Sequence, residues 1–301
     1  MLQITNKLRQ RFIKDTSLPI PTCDEFYFNY FLELYNDLLN SKTKYKQFIN
    51  DISEFNNDED VLHYYNSLKD KAILTLRESK EFELLNELNF SEINRQYTYS
   101  QKDIFKESNI GKIFMSIDLV KANYQVLYKL GIDVCNDNDI LPEKYDMFIS
   151  QFTDKKHFID SKYIRQVILG NLNPKRQVNL QKYMLNDVVK SLEINKQYQN
   201  IISFTNDEIV IQLNIIDNNI FNNCAELVKE IKHTFGLTVS INVFELFKSK
   251  YGYVKKYMDD SIEFKSVSKI YFAQNYKDWF QLPIEENDKV FEYEKQLVKF
   301  I

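Results

Sequence analysis

The stretch IISFTNDEIVIQL, residues 201–213, decides the fold that we predict for this chain. Two runs of β-favouring residues flank the polar tip Thr205-Asn206-Asp207-Glu208, and this pattern predicts a β-hairpin. One interpretation of the tip is an ordinary polar turn, because Asn and Asp are common turn residues. The other is functional, because two adjacent carboxylates at the end of mostly buried strands are costly unless a cation or hydrogen bonds satisfy them.

The segments on either side of the hairpin complete an alternation of strands and helices. Residues 111–246 read as a strand, a helix, a helical insertion, the hairpin, a helix and a strand. The flanking elements are the strand Lys112–Leu119, the helix Val120–Leu130 closed by Gly131, the helix Asn222–Phe235 ended by Gly236, and the strand Leu237–Leu246. This order predicts an antiparallel, ferredoxin-like sheet with helices on one face. The first strand and the hairpin can lie side by side in such a sheet, which brings Asp118 next to Asp207 and Glu208.

The rest of the chain divides into a helical N-terminal region and a mixed C-terminal region. Glu25–Leu39 repeats Phe and Leu at helical spacing behind Asp24, the predicted N-cap. We expect residues 1–105 to be helical and residues 106–250 to form the sheet domain, with its helical insertion at about 140–195. Residues 251–301 are expected to be an extension that mixes strands and helices. The predicted fold class is therefore α+β.

The composition restricts the class of protein without identifying its chemistry. The chain has 301 residues, 44% of them hydrophobic and 27% charged, with a net charge of −4, as in a globular protein. No apolar run approaches the roughly 20 residues of a membrane span, and the N-terminus lacks the apolar core of a secretion signal. Three widely spaced cysteines, Cys23, Cys135 and Cys224, indicate neither disulfides nor zinc and favour a reducing, cytoplasmic compartment.

A basic stretch precedes the hairpin. It covers one helix from Ser161 and a second helix that begins with Asn173 as N-cap and Pro174 at its first position. Residues 161–190 include six basic residues and one acidic residue, Asp187. The basic residues are Lys162, Arg165, Lys175, Arg176, Lys182 and Lys190. A solvated helix face and a phosphate-binding surface both explain this stretch, and the shortage of acidic partners favours the second.

Three carboxylates that converge at an exposed sheet edge suit a divalent cation. Oxygen ligands select Mg²⁺ or Mn²⁺. Two such ions about 4 Å apart stabilise the attacking and the leaving oxygen of a phosphoryl transfer. We therefore expect the carboxyl groups of Asp118, Asp207 and Glu208 to lie within about 6 Å of one another, the reach of a shared metal site.

The order of these motifs resembles the palm of template-dependent nucleic-acid polymerases and is most similar to family A DNA polymerases. In that family an Asp ends a strand and opens a helix, as in SIDLVKANY with Asp118. A basic helix from the fingers follows, as in KYIRQVILGN and NPKRQ, and then a hairpin with an acidic tip, as in SFTNDEIVI. The resemblance covers roughly residues 110–250 and implies that residues 1–105 are thumb-like.

Departures from the family pattern bear on the expected function. Asn206 stands where the family has a His before the acidic pair, and Asn123 stands where it has a Glu that helps to select the sugar. The basic helix lacks the family's aromatic-Gly ending, and the chain is far shorter than a full polymerase. Because Asn123 is smaller than Glu and can hydrogen-bond a 2′-hydroxyl, we expect tolerance of ribonucleotides.

The resemblance implies a metal-dependent nucleotidyltransferase, a minimal DNA or RNA polymerase that uses two-metal phosphoryl transfer. Asp118 and Asp207 would hold Mg²⁺ or Mn²⁺, with Glu208 as the third catalytic carboxylate. The implied substrate-binding residues are Asn123 at the sugar and Lys162, Arg165, Lys175 and Arg176 at the triphosphate.

The implied partners are a nucleoside triphosphate, DNA or RNA, and proteins of a replication complex, with no membrane. Two other classes stay open, because a fold alone does not give a function. One is a non-catalytic nucleic-acid-binding or replication-accessory protein on the same palm-like or RRM-like fold. The other is a structural interaction protein of an AT-rich virus or plasmid, a source that the frequent Asn, Lys and Ile residues fit.

Overall fold

The computed structural model describes residues 2–89, 104–134, 141–194, 200–214 and 220–300. Helices and a six-stranded antiparallel sheet build an α+β fold, which confirms the predicted class. Within these ranges, no helix has both the length and the apolar character that crossing a membrane requires. Cys23 and Cys224 are free thiols. Cys135 and residues 90–103 of the predicted helical region lie outside the described residues.

Six helices form the described part of the N-terminal region. They are α1 (Asn6–Thr16), α2 (Glu25–Leu34), α3 (Asn36–Leu39), α4 (Ser41–Ile52), α5 (Asp58–Arg77) and α6 (Lys80–Glu87). Asp24 caps α2 as predicted, because its carboxylate accepts hydrogen bonds from the backbone N–H groups of Phe26 and Tyr27. The single helix predicted over Glu25–Leu39 is divided at Tyr35, whose side chain is buried.

Seven helices and eight strands follow in the described part of the chain. They are β1 (Ile113–Leu119), α7 (Ala122–Val134), α8 (Tyr145–Ile149), α9 (Lys156–Asp160), α10 (Lys162–Gly170), α11 (Pro174–Ile194), β2 (Ile201–Phe204), β3 (Glu208–Leu213), α12 (Ile220–Phe235), β4 (Val239–Ser249), β5 (Gly252–Tyr257), β6 (Ile262–Lys265), α13 (Phe272–Trp279), β7 (Val290–Tyr293) and β8 (Gln296–Lys299). Short 3₁₀ turns at Glu107–Asn109, Lys269–Tyr271 and Glu286–Lys289 join some of them.

The six strands of the main sheet lie in the order β2-β3-β1-β4-β5-β6, and every neighbouring pair is antiparallel. The first four, with α7 and α12 in their connections, have the ferredoxin-like arrangement that the sequence predicts. The helices α8 to α11 are inserted between α7 and the β2–β3 hairpin. Strands β5 and β6 continue the same sheet beyond residue 250, into the region that the sequence marked as an extension.

The two faces of the sheet differ in their covering. Met115 and Ile117 of β1 belong to the main hydrophobic core, which they share with the helices. Phe114 points to the opposite face and packs in a small cluster that includes Ile104 and Phe105. Because successive side chains alternate between the faces of a strand, Asp118 lies on the same face as Phe114.

Pro174 and Gly236 mark helix ends as predicted, whereas Gly131 does not. Helix α11 begins at Pro174, and α12 ends before Gly236, which has a φ of +66°. Helix α7, however, continues through Gly131 to Val134. A Cβ at Gly131 would lie 2.6 Å from Oε1 of Glu81, so this glycine allows the buried Glu81 of α6 to approach closely instead of ending the helix.

A buried carboxylate joins the N-terminal helices to the insertion. Asp15 of α1 accepts hydrogen bonds from the hydroxyl groups of Tyr65 and Ser161, each at 2.9 Å. Its other partners are Nε2 of His157 at 3.1 Å and the guanidinium of Arg11, also at 3.1 Å. Helices α1, α5 and α9 and the N-cap of α10 therefore meet at one charged group.

Candidate functional site

The register of the sheet brings the predicted carboxylates together. Asp118 of β1 is the cross-strand partner of Glu208 of β3. The backbone N–H of Leu119 donates to the carbonyl oxygen of Asp207 at 2.9 Å, so Asp207 lies beside the same strand end. Cross-strand partners on one face have Cβ atoms about 5 Å apart. We call Asp118, Asp207 and Glu208 the carboxylate cluster.

The hairpin turn is closed by Thr205, which fixes the tip. The backbone N–H of Thr205 donates to the carbonyl oxygen of Glu208 at 2.8 Å, and the N–H of Glu208 donates to the Thr205 hydroxyl at 3.1 Å. That hydroxyl also lies 3.5 Å from Oδ1 of Asp207. One threonine thus holds the backbone of the loop Asn206-Asp207 and contacts one of the carboxylates.

The end of β1 is held from the other side by Gln125 of α7. Its buried side-chain amide donates to the carbonyl oxygens of Val120 at 2.9 Å and Thr238 at 2.7 Å. The Val120 N–H also donates to the Thr238 carbonyl at 3.1 Å. These bonds tie the residues that follow Asp118 to the start of β4.

The environment of Asp118 favours its protonated form. Burial, together with the neighbouring negative charges of Asp207 and Glu208, raises the pKa of Asp118 to about 6, although Lys255 and Lys265 act in the opposite direction. The ionised carboxylate of Asp118 therefore has too little positive charge around it, since desolvation and like charges both oppose its ionisation. A bound cation would relieve both effects.

The raised pKa predicts a specific pH dependence of stability without metal. The pKa of Asp118 in the folded protein lies above the value of about 4 for an unfolded Asp. Protonated Asp118 therefore stabilises the folded protein below about pH 4, and this contribution to the free energy of unfolding is lost as the pH rises to about 6. Asp118→Asn lacks this titration. In EDTA we expect the variant to melt above the wild type at neutral pH, and the difference to shrink toward about pH 4. Thermal unfolding across this range checks it, and parallel pH profiles of the two proteins would refute it.

Lysines on β5 and β6 extend the charged network. Nζ of Lys255 lies 3.4 Å from Oε1 of Glu208, and burial lowers the pKa of Lys255 while Glu208 raises it. Glu263 is the cross-strand partner of Lys255 and forms an ion pair with Lys265 at 2.6 Å. The Tyr257 hydroxyl donates to Glu263 at 2.7 Å. No sequence pattern singles out these residues, because the face on which they lie depends on the β4–β5 register.

The predicted substrate residues of the insertion lie in different surroundings. Asn123 of α7 accepts a hydrogen bond from the amide of Gln181 in α11. Arg176 donates to the carbonyl oxygens of Leu85, at 2.7 Å, and Leu88, at the end of α6. Both side chains therefore join helices to one another.

The other three predicted basic residues do not form one group. Lys175 is exposed at the start of α11. Lys162 lines a cavity of about 310 Å³ together with Asp15 and His157. Arg165 is partly buried, with its guanidinium carbon 5.8 Å from the centre of the Tyr145 ring.

Lys121 follows β1 in the chain and was not among the predicted substrate-binding residues. It follows Asp118 by three residues, in a left-handed conformation with a φ of 51°. Its ammonium group forms an ion pair with Asp146 and lies 5.7 Å from the ring of Tyr145, the ring that Arg165 also contacts. Lys121 and Arg165 therefore both approach the ring of Tyr145, and Lys121 comes two residues after the last residue of β1.

Searches of protein-family models, of curated proteins and of solved structures returned no match to this chain. We therefore infer the function from the chemistry of the site.

The carboxylate cluster provides two carboxylate groups for a cation, because Lys255 already pairs with the third. Across the described ranges, no group of three or more His, Cys, Asp or Glu residues is arranged to hold a metal ion. The contact of Glu208 with Lys255 leaves Asp118 and Asp207 as the carboxylates for a cation. Hard oxygen donors and the under-neutralised charge of Asp118 fit Mg²⁺ or Mn²⁺, which keep several water ligands when few carboxylates bind them.

Proposed function

We propose that this chain is a metal-dependent nucleotidyltransferase of the polymerase type, which adds nucleotides by two-metal phosphoryl transfer at the carboxylate cluster. The observation that carries the proposal is the β1–β3 register, which sets Asp118 against Glu208 and next to Asp207. The ferredoxin-like strand order supports it, because this order brings the end of the first strand and the tip of the hairpin to one edge. The proposal includes a cytoplasmic location and a nucleic-acid substrate, DNA or RNA.

The proposal gives each group one role. Asp118 and Asp207 hold Mg²⁺ or Mn²⁺, which when bound supplies electrostatic stabilisation to the oxygens of the reacting phosphate. Arg165 and Lys121 bind the phosphates of the incoming nucleotide, and Asn123 lies near its sugar. Such catalysis consists mainly of positioning and charge stabilisation, so it needs no Cys or His nucleophile.

Arg165→Ala and Lys121→Ala are each expected to weaken the binding of a magnesium–nucleoside triphosphate about tenfold, because each removes one charge-assisted contact to phosphate. Calorimetric titration measures the affinity. Lys156→Ala is the matched control, since Lys156 is exposed and pairs with Asp160 within α9. Arg176→Ala is a poorer probe, because its guanidinium holds the end of α6. Unchanged affinity in both test variants would remove the triphosphate assignment, and a wild type that binds no nucleotide would oppose the function itself.

A non-catalytic nucleic-acid-binding protein on the same fold is the second candidate. The ion pair of Glu208 with Lys255 favours it, because this contact neutralises one of the three carboxylates without any metal. On this alternative, single-stranded DNA or RNA binds with an affinity that neither EDTA nor Asp207→Asn changes. A binding titration with and without EDTA separates the two candidates.

A further inference from the structure

Lys255 is a buried cation beside the carboxylate cluster. Its side chain is only 6% exposed, and its ammonium group contacts Glu208 at 3.4 Å. The same ammonium lies 4.3 Å from the centre of the Phe244 ring and 5.9 Å from that of Phe105. A lysine rarely becomes this buried unless it is paired, so its position at the cluster reflects a specific electrostatic requirement.

The charges around Lys255 do not cancel. Four carboxylates share this part of the sheet face, namely Asp118, Asp207, Glu208 and Glu263. Two lysines accompany them, Lys255 and Lys265, so four negative and two positive charges leave a formal charge of −2. Lys265 already pairs with Glu263 at 2.6 Å, which leaves Lys255 as the counter-charge in contact with the cluster in the described part of the chain.

We propose that Lys255 is a built-in counter-cation of the carboxylate cluster, which stabilises the metal-free protein and competes with the divalent cation for the cluster. The inference rests on the proposed function, since it assumes that Asp118 and Asp207 bind a cation. The ammonium lowers the repulsion among the carboxylates when no metal is present. The same positive charge repels a divalent ion that approaches Asp118 and Asp207.

This role predicts two effects of opposite sign from one substitution. Lys255→Gln keeps a side chain of similar length but removes the charge. The metal-free variant should melt below the wild type, because Glu208 loses its partner. The variant should nevertheless bind Mn²⁺ at least about tenfold more tightly, because a repulsive charge has left the site. A purely structural lysine would instead lower stability with unchanged or weakened metal binding.

The experiment measures Mn²⁺ binding by electron paramagnetic resonance titration and thermal unfolding in EDTA and in Mn²⁺. Lys256→Gln is the matched control, because Lys256 is next in the strand, points to the other face, is 44% exposed and pairs with Asp260. It should bind Mn²⁺ like the wild type, and so should Lys255→Arg, which keeps the charge. If Lys255→Gln does not fold, Lys255→Met provides the same test with a side chain suited to contact with Phe244.

Each outcome is decisive. Tighter Mn²⁺ binding in Lys255→Gln, with a larger Mn²⁺-induced rise in melting temperature than in the wild type, supports the proposal even if the wild type binds Mn²⁺ too weakly to measure. Mn²⁺ affinity that is unchanged or lower in the charge-removing variant overturns it. Failure of the proposed function is a separate result, namely a wild type that binds Mn²⁺ but incorporates no nucleotide.

Discussion

Asp118→Asn and Asp207→Asn are each expected to reduce nucleotide incorporation about a thousandfold or more, because each removes a ligand of the ion that stabilises the transition state. Both variants should remain folded, since each substitution removes one charge from a repulsive cluster. Glu208→Gln should have a smaller effect, because Glu208 is already engaged by Lys255. Incorporation of labelled nucleotide, alongside melting curves, measures both properties.

Asp260→Asn is the control for these carboxylate variants. Asp260 lies in the turn between β5 and β6 of the same sheet, and its side chain is 86% exposed. It has a φ of 63°, which Asn tolerates well. Its activity should match that of the wild type. Activity retained by Asp118→Asn or Asp207→Asn would exclude that residue from the site.

Asp15→Ala should destabilise the protein by about 3–5 kcal/mol, the usual cost of removing one partner of a buried ion pair. The Asp15 side chain is 0% exposed, and its loss leaves Arg11, Tyr65, His157 and Ser161 without their shared acceptor. We expect a large fall in the urea midpoint with little change of slope.

Asp160→Ala provides the comparison for Asp15. Asp160 pairs with Lys156 one helical turn away, and both side chains are more than half exposed. Exposed ion pairs of this kind contribute little to stability, so the urea midpoint should barely move. Equal midpoints for Asp15→Ala and Asp160→Ala would show that the buried contacts of Asp15 do not hold α1 to the insertion.

Local signals predicted the elements that form the ferredoxin-like part of the sheet. The tip of the hairpin, Pro174 at the start of α11 and Gly236 after α12 each act through their own backbone, so a short window of sequence contains the information. The prediction from Gly131 was wrong because this glycine makes room for a tertiary contact and does not end the helix. The space that it leaves is filled by Glu81, about fifty residues away, and no local pattern encodes that contact.

The site was predictable to the extent that it depends on strand order. Once β1 and the hairpin were assigned, a ferredoxin-like sheet could place them side by side and bring Asp118 next to Glu208, and the register agrees. Lys255 could not be found in this way, because a shift of one residue in the β4–β5 pairing would turn it to the other face. Arg165 and Lys121 both lie near the ring of Tyr145, a residue of the insertion with no sequence signature of its own.

The central claim is that the carboxylate cluster transfers nucleotides with a divalent cation. The most direct measurement is the incorporation of labelled nucleoside triphosphate by the wild type onto primed and unprimed strands, with Mg²⁺, with Mn²⁺ and with EDTA. We predict product with a divalent ion, none with EDTA, and about a thousandfold less from Asp207→Asn than from the wild type with either metal. A wild type that forms no product on any strand with either metal, and whose melting temperature ignores both metals, would contradict the account.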